Sequence, residues 1–388
     1  MINQNDFIER IQKSIRAVIG EGVKNLHAPV FDNLEKDYLY ECIDTTFVSS
    51  VGKFVDQFEL DLANYTGAKR AVAIVNGTCA LHIALKLSGI SENDEVLIPS
   101  MTFVATANSV CHAGGVPHFV EIDERTLGID TDFLSEYLTS VSEISINGCI
   151  NKHTGNRIKA IIPMHTFGHP CEMDKLLKIA YDYNLVVIED AAEALGSFYY
   201  GKHVGNFGKC GVLSFNGNKI ITTGGGGAII TNDEAFADHI KHITTTAKIP
   251  HRWRFMHDDI GYNYRMPNLN AALGCAQLSK LESFLLSKRK LFSLYNETFK
   301  DFKEIRLMQE PKNCESNYWL QTLILDKSLA NMRDILLEIT NKNNLITRPA
   351  WDLIHTLEPY KGCPKSETVV SRDIASRLIN IPSSANLI

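Results

Sequence analysis

Residues 211–233 read GVLSFNGNKIITTGGGGAIITND, and this stretch carries the strongest structural signal in the chain. A hydrophobic run ends at residue 215, a turn carrying Lys219 follows, and four consecutive glycines, 224–227, lead into a second hydrophobic run. Four glycines in a row have a large entropic cost, which is tolerable only where the backbone bends unusually or approaches another group closely. The stretch therefore predicts two strands joined by a turn that presents Lys219.

The surrounding sequence, from about residue 55 to residue 235, alternates short apolar runs with amphipathic stretches. This is the pattern of βαβ units that build a parallel sheet. The candidate strands are 71–75, 95–98, 118–122, 160–164, 185–189, 211–215 and 228–231. Several consist almost wholly of apolar residues, as strands buried on both faces must. We predict an α/β fold whose mostly parallel central sheet has helices on both faces.

The remaining segments suggest further units. Residues 138–158 are polar and are expected to form an insertion or a surface hairpin. After Pro267 the pattern changes to long helical stretches at 268–301 and a mixed tail, which predicts a smaller C-terminal α+β domain. The expected organisation is an N-terminal helical segment at 1–30, a large domain at 31–260 and a small domain at 261–388.

Composition excludes several classes of protein. The 388 residues are 45% hydrophobic and 22% charged, which is typical of a globular chain with a large core. A net charge of -6 without a basic block gives no reason to expect a nucleic-acid partner. The nine cysteines never form a C-x-x-C pair, and the N-terminus has no continuous apolar stretch. We therefore expect reduced thiols, no signal peptide, no membrane anchor and a cytoplasmic protein.

The first predicted strand ends in residues 76–79, Asn-Gly-Thr-Cys, which run directly into a predicted helix. In open parallel sheets, ligands bind beyond the carboxyl ends of the strands. The free N–H groups and the positive dipole end of the helix would suit a phosphate. An ordinary turn with a helix N-cap explains the same residues equally well.

A second strand end lies in LVVIEDAAEALG, 185–196, where a hydrophobic strand delivers Glu189 and Asp190. A buried carboxylate needs a partner, and a protonated ring nitrogen of a cofactor would supply one. A helix N-cap or an internal salt bridge is the alternative.

Lys219 follows a third strand end, after Ser214, and could be an amine that traps a carbonyl group. The alternative is a solvated lysine on a flexible loop. His165 and His169 are four residues apart, but Gly168 and Pro170 argue against a helical metal-binding pair, so no metal site is expected.

Together these sites resemble the DegT/DnrJ/EryC1/StrS family of sugar aminotransferases, which have the aspartate-aminotransferase-like fold type I. The resemblance covers at least residues 47–278, through seven segments in the family's order. These are FVSSVGKFVDQFE, NGTCALHIAL, IPSMTFVATANSV, PMHTFGHPCEMD, VIEDAAEALGS, GNFGKCGVLSFNGNK and GYNYRMPNLNAALG.

The resemblance implies pyridoxal 5'-phosphate as the cofactor, with Lys219 forming its Schiff base and moving the proton during amino transfer. Asp190 then pairs with the pyridine nitrogen, and Phe103 stacks on the ring. The remaining cofactor contacts implied by the family's motifs are Gly77, Thr78, Cys79, Ser214, Glu193 and Asn263. Asn263 would reach the phosphate from a neighbouring subunit, which implies a homodimer. Glu193 departs from the Gln or His that the family commonly has there.

The expected substrates are a nucleotide-linked keto-sugar and glutamate. Candidate substrate contacts are His165, Arg265, Tyr318 and His355, each of which could equally be a structural hydrogen-bonding residue. The insertion at 138–158 and the SFNGNK and GGGG motifs resemble the subgroup of the legionaminic acid and bacillosamine pathways. The expected reaction is therefore transfer from glutamate to C4 of a UDP-linked 4-keto-6-deoxy-N-acetylhexosamine. The alternatives are a GDP-linked 4-keto-6-deoxy sugar as substrate, or a non-catalytic regulatory protein that binds the cofactor.

Overall fold

The structure is a computed structural model that describes residues 4–388. Its helices are α1 Gln4–Ile19, α2 Asn33–Asp44, α3 Lys53–Thr66, α4 Gly77–Leu87, α5 Val104–His112, α6 Thr131–Val141, α7 Met173–Asp182, α8 Glu234–Thr244, α9 Asn268–Leu278, α10 Leu281–Phe299, α11 Arg333–Lys342 and α12 Val369–Arg377. Its strands are β1 Arg70–Ile74, β2 Glu95–Pro99, β3 Val116–Val120, β4 Ser142–Ser145, β5 Gly148–Asn151, β6 Arg157–Ile161, β7 Val186–Asp190, β8 Phe198–Tyr199, β9 Lys202–His203, β10 Cys210–Ser214, β11 Gly227–Thr231, β12 Lys248–Ile249, β13 Met256–His257, β14 Ile305–Leu307, β15 Cys314–Glu315, β16 Gln321–Leu325, β17 Arg348–Pro349 and β18 Leu378–Ile381.

The main sheet has the strand order β1-β11-β10-β7-β6-β2-β3, with the β4–β5 hairpin attached to β6. Strands β10, β7, β6, β2 and β3 pair in parallel, whereas β11 is antiparallel to both of its neighbours. Because β1 and β10 both oppose β11, β1 runs in the same direction as the parallel strands. The carboxyl ends of six strands therefore lie at one edge of the sheet.

Helices cover both faces of this sheet, as the sequence predicts. Helices α4, α5 and α8 share one hydrophobic core with the sheet, and α3, α6, α7 and α9 share the other. All seven predicted strands are present with shifts of a few residues at most, and the polar segment 138–158 contains the β4–β5 hairpin. Central strands such as β2 and β11 are buried along their whole length, which explains why their sequences are almost uniformly apolar.

A second, antiparallel sheet has the strand order β14-β16-β18-β17. Helices α1, α10 and α11 pack on it around a separate apolar core. Helix α9 packs against α3 beside the main sheet, although it follows Pro267 in the sequence. The division at 1–30, 31–260 and 261–388 remains a proposal. Helix α1 packs with the small sheet and α9 packs beside the main sheet, so the packing does not follow these boundaries strictly.

No helix within residues 4–388 combines the length and the apolar character that spanning a membrane requires.

Candidate active site

A cavity of about 280 Å³ lies where the carboxyl ends of the parallel strands meet, and we call it the strand-end cavity. Its lining residues include Asn76, Gly77, Thr78, Phe103, Met164, Asp190, Ala192, Glu193, Ser214, Asn216, Asn218, Lys219, Gly225, Gly226, Trp319 and Trp351. The three strand ends that the sequence singles out are thus brought together in one cavity. This follows from the sheet order, because β7 and β10 are neighbours and β1 is separated from β10 only by β11.

One end of the strand-end cavity is rich in hydrogen-bond donors. Helix α4 begins there at Gly77, so its first N–H groups have no partner within the helix. In the described part of the chain, the N–H groups of Gly77 and Thr78 and the hydroxyl of Ser214 donate to no protein acceptor. Uncapped N–H groups at a helix N-terminus are an anion-binding arrangement.

The glycine run packs closely against this end of the cavity, as predicted. Gly224 has a φ of +78°, a left-handed conformation that favours glycine. A Cβ atom on Gly227 would lie 2.6 Å from backbone atoms of Asn76 and Gly77. The absence of a side chain at residue 227 therefore lets β11 lie directly against the start of α4.

Asp190 ends β7 at another part of the cavity and is 3% exposed. Its Oδ2 accepts a hydrogen bond from the Thr106 hydroxyl at 2.8 Å, and its Oδ1 accepts one from the Ala192 N–H at 3.2 Å. Burial raises the pKa of Asp190, and these two hydrogen bonds and the positive charge of Lys219 only partly offset that effect. The carboxylate therefore has capacity for a cationic partner from the cavity.

Lys219 lines the same cavity and lies in the turn after β10. Its Nζ donates to Glu193 Oε1 at 3.1 Å and lies 4.0 Å from the centre of the Trp319 ring. The other oxygen of Glu193 accepts a hydrogen bond from the Phe167 N–H at 2.9 Å. Burial raises the pKa of Glu193, and the nearby Lys219 partly offsets it. Glu193 thus contacts the amine directly, which is a more specific role than the sequence indicated.

Aromatic rings form the sides of the cavity. Phe103 caps the start of α5 and is 47% exposed, with its ring 6.2 Å from that of Trp351. Trp351 in turn lies 5.2 Å from Phe167, between ring centres. A planar aromatic ligand could stack against such walls.

The residues present fit pyridoxal phosphate. Its phosphate needs anion-binding donors, its protonated ring nitrogen needs a carboxylate, and its aldehyde needs an amine. The start of α4 with Ser214, the buried Asp190 and Lys219 supply these three groups in one cavity. Asp190 in particular is a buried acid that forms no ion pair with any residue of 4–388, and the ring nitrogen would provide a cation.

Three of the four candidate substrate contacts lie in the core instead of the cavity. The buried His165 bonds through Nε2 to Glu189 at 3.1 Å, and its Nδ1 accepts the Cys171 N–H at 3.1 Å. Tyr318 stacks on Phe292 at 4.2 Å between ring centres.

His355, the third, is also buried, and its Nδ1 lies 2.5 Å from the Ser100 hydroxyl. The Tyr318 hydroxyl accepts a hydrogen bond from the Glu310 N–H at 3.3 Å. All three residues are therefore engaged in hydrogen bonds within the protein, as expected of structural hydrogen-bonding residues.

Three further predicted site residues, Cys79, Asn263 and Arg265, do not line the cavity. Arg265 forms an isolated β-bridge with Ile74, at the end of β1, and Asn263 is exposed beside Thr245. The Cys79 N–H donates to Asn76 Oδ1 at 2.8 Å, which caps α4. Both interpretations of residues 76–79 therefore apply, since Asn76 is the N-cap, while the N–H groups of Gly77 and Thr78 have no acceptor among residues 4–388.

Trp319 and Trp351 also line the cavity, and no motif in the sequence indicates them. Each lies in the C-terminal third of the chain, far from the motifs that it supports. The only available signal was their rarity, because the chain contains three tryptophans. Trp319 is adjacent to Tyr318, and a positive φ of 46° at Tyr318 turns the two neighbouring side chains to different surroundings.

A family model supports these observations. The model of the DegT/DnrJ/EryC1/StrS aminotransferase family matches residues 29–388. The chain is 37% identical over 361 residues to GDP-perosamine synthase of Caulobacter vibrioides, an alignment that covers 93% of each protein. It is 35% identical over 366 residues to the putative pyridoxal phosphate-dependent aminotransferase EpsN of Bacillus subtilis, with 93% of this chain and 91% of EpsN covered.

A solved structure agrees with the fold. PseC of Helicobacter pylori, an aminotransferase involved in the biosynthesis of pseudoaminic acid, superposes with a TM-score of 0.86 over 95% of both chains. The two sequences are 24% identical, so this similarity shows the fold alone. The predicted fold type is thereby confirmed.

Proposed function

The chain belongs to the DegT/DnrJ/EryC1/StrS aminotransferase family of pyridoxal phosphate-dependent sugar aminotransferases, and from this premise we propose that it aminates C4 of a GDP-linked 4-keto-6-deoxy sugar. Glutamate is the proposed amino donor. The observation that carries the proposal is the 37% identity to a GDP-perosamine synthase along 93% of both proteins. The cofactor and the reaction class agree with the expectation from sequence, whereas the nucleotide favoured by this relative is guanosine instead of uridine.

The UDP-linked N-acetylhexosamine remains the second candidate. It is supported by the SFNGNK and GGGG motifs and by the hairpin at 142–151. A purely regulatory role has less support, because Lys219, Asp190 and Ser214 are all present around one cavity.

When bound, pyridoxal phosphate supplies an aldehyde and an electron-withdrawing ring that stabilises negative charge on the reacting carbon. Lys219 would hold the cofactor covalently and, once displaced by substrate, would carry the proton between the reacting carbons. Asp190 would keep the ring nitrogen protonated.

Glu193 accepts a hydrogen bond from the Lys219 amine, so it would orient that amine and receive it when it is displaced. The free N–H groups of α4 and the Ser214 hydroxyl would anchor the phosphate. Each role uses a group that already lines the strand-end cavity.

A second cavity of about 620 Å³, which we call the outer cavity, adjoins the first and shares Asn218, Trp319 and Trp351 with it. Its other lining residues include His27, Phe167 and Arg348. We propose that the sugar nucleotide enters here, because the volume lies within the range of about 300–1,000 Å³ that small-molecule pockets span. Its shared wall would bring a sugar carbon close to Lys219.

A homodimer is also proposed. Asn263 and Arg265 lie outside the strand-end cavity of their own chain, and Asn263 is exposed. A second copy that contributes these residues would explain why the family's motif includes them. The Arg265 guanidinium makes no hydrogen bond or ion pair within the described residues, so its planar donors are free for a diphosphate.

The reaction is tested by incubating the enzyme with glutamate and either a GDP-linked or a UDP-linked 4-keto-6-deoxy sugar, and weighing the products by mass spectrometry. We expect amination of the GDP-sugar at least tenfold faster than of the UDP-sugar. Lys219→Ala should abolish both reactions. Lys178→Ala is the matched control, since Lys178 is exposed on α7 and lies outside both cavities.

Preference for the UDP-sugar would overturn the guanosine assignment but leave the reaction class intact. Turnover by Lys219→Ala would remove that lysine from the reaction.

A further inference from the structure

Lys288 is a fully buried lysine in the middle of α10. Lysine is almost never fully buried unless it has a partner, because taking an ammonium group out of water is costly. Among residues 4–388, no carboxylate forms an ion pair with Lys288. Its burial therefore needs another explanation.

The contacts of Lys288 are two backbone carbonyl groups. Its Nζ donates to the Trp319 carbonyl oxygen at 3.1 Å and to the carbonyl oxygen of Ser383. Trp319 forms an aromatic wall of the strand-end cavity, and Ser383 lies in the segment that follows β18 of the small sheet. Lys288 thus ties α10 to both segments.

Trp319 is held at two further points. Its backbone N–H donates to Asn317 Oδ1 at 2.8 Å, and its ring N–H donates to the Asn218 carbonyl at 2.8 Å. The centre of this ring lies 4.0 Å from Lys219 Nζ, and Trp319 lines both the strand-end cavity and the outer cavity. A cation over an indole face is an attractive contact that is stronger when desolvated.

We propose that Lys288 is a positioning residue for amino transfer, because its hydrogen bonds fix the Trp319 main chain and thereby the indole on which the Lys219 amine rests. The inference rests on the proposed function, since it takes Lys219 as the cofactor-binding lysine. Lys288 itself touches neither cavity.

The surroundings of Lys288 also make this contact sensitive to pH. Burial lowers the pKa of Lys288 to about 7. The titratable group that approaches it from the N-terminal segment is His27, whose pKa is lowered well below its usual value by burial and by the charges of Lys288 and Lys219. Lys219 and Glu193 lie beyond the indole, and Arg289 on α10 is paired with Glu310 at 2.9 Å. The lowered pKa brings the charge of Lys288 within reach of a change near neutral pH.

A double-mutant cycle tests the inference. Lys288→Met replaces the amine by an apolar chain of similar length, which a buried site accommodates. Lys288→Met and Trp319→Leu should each lower kcat by about 5- to 30-fold, the range that corresponds to a desolvated cation–π contact. The double variant should be no slower than the slower single variant, because both changes remove the same interaction. Lys290→Met, on the exposed side of the same helix, should match the wild type.

Lys288→Gln keeps one donor and should recover part of the lost rate, and it serves as the working variant if Lys288→Met does not fold. Losses that multiply in the double variant would overturn the inference while the proposed function stands. A wild-type enzyme that transfers no amino group to either keto-sugar would instead refute the proposed function.

A second measurement does not depend on activity. In an apoprotein with Trp253→Phe and Trp351→Phe, Trp319 is the remaining indole, because the chain has three tryptophans. Its fluorescence should titrate near pH 7 with Lys288 or with Lys290→Met present, and should be flat across that range with Lys288→Met. A fluorescence transition that persists unchanged with Lys288→Met would show that Lys288 does not act on Trp319.

Discussion

The substitution Asp190→Asn should affect the stability of the apoprotein and the binding of the cofactor in different ways. In the ligand-free protein the amide can keep both existing contacts, with Oδ1 accepting the Ala192 N–H and Nδ2 donating to the Thr106 hydroxyl. Burial raises the pKa of Asp190, so its ionised form is disfavoured in the folded state at neutral pH. Removing the charge should therefore leave the melting temperature of the apoprotein unchanged or raise it.

The cofactor-bound protein should respond in the opposite direction. An amide cannot accept the proton of the ring nitrogen while its N–H group faces Thr106, so a charge-assisted hydrogen bond worth about 1.5–3 kcal/mol is lost. At about 1.4 kcal/mol per factor of ten, this predicts a loss of about 10- to 150-fold in cofactor affinity or in the rate with glutamate.

The assay pairs thermal melting of the apoprotein with a spectroscopic titration of pyridoxal phosphate and single-turnover reaction with glutamate. Asp94→Asn is the matched control, because Asp94 is also buried but pairs with Arg157 at the opposite edge of the sheet. That variant should lose stability and keep its cofactor affinity. An Asp190→Asn protein that binds the cofactor and reacts with glutamate as the wild type does would refute the assignment of Asp190.

Two further predictions concern the support of the site and its assembly. Burial alone would raise the pKa of Glu189, but hydrogen bonds from His165 and from backbone N–H groups at 205–208 lower it. Its ionised form therefore stabilises the fold above about pH 4.3. This contribution is lost as the pH falls through the lowered pKa. Glu189→Gln should lower the free energy of unfolding by about 3–5 kcal/mol at pH 7, measured by urea unfolding. Between pH 5 and pH 3 the variant should lose less stability than the wild type, and an equal loss would contradict this. Mixing inactive Lys219→Ala with weakened Asn263→Ala should restore activity through hybrid dimers, whereas no recovery after subunit exchange would place Asn263 outside the partner's site.

The sequence predicted the parts of the site that depend on local chain order. Asp190 and Ser214 each end a strand, and Gly77 starts a helix, so a parallel sheet brings them to one edge whatever the details of packing. The apolar strands and the glycine run predict that sheet directly. This explains why the strand-end residues line the cavity as expected.

Side chains whose position depends on tertiary packing could not be placed from the sequence. His165 follows β6 at the correct edge, yet its ring points into the core and bonds to Glu189. Tyr318 and Trp319 are adjacent, and only the second lines the cavity, because the local backbone conformation and the packing of Phe292 decide their directions. Residue type alone cannot distinguish such neighbours, since both are large aromatics with one polar group.

The electrostatics of the site link cofactor binding to stability. Asp190 and Glu193 are both buried with raised pKa values, and Lys219 is the cationic side chain among the described residues that line the strand-end cavity. Glu193 pairs with that ammonium group, whereas Asp190 forms no ion pair among residues 4–388, so ionising Asp190 in the apoprotein places an unpaired negative charge in a region of low dielectric. A ligand with a protonated ring nitrogen next to Asp190 would compensate that charge, and the phosphate at the start of α4 would place the ligand's own negative charge at the far end. Binding should therefore stabilise the fold by more than its contact area implies, because it removes a cost that the folded apoprotein already carries.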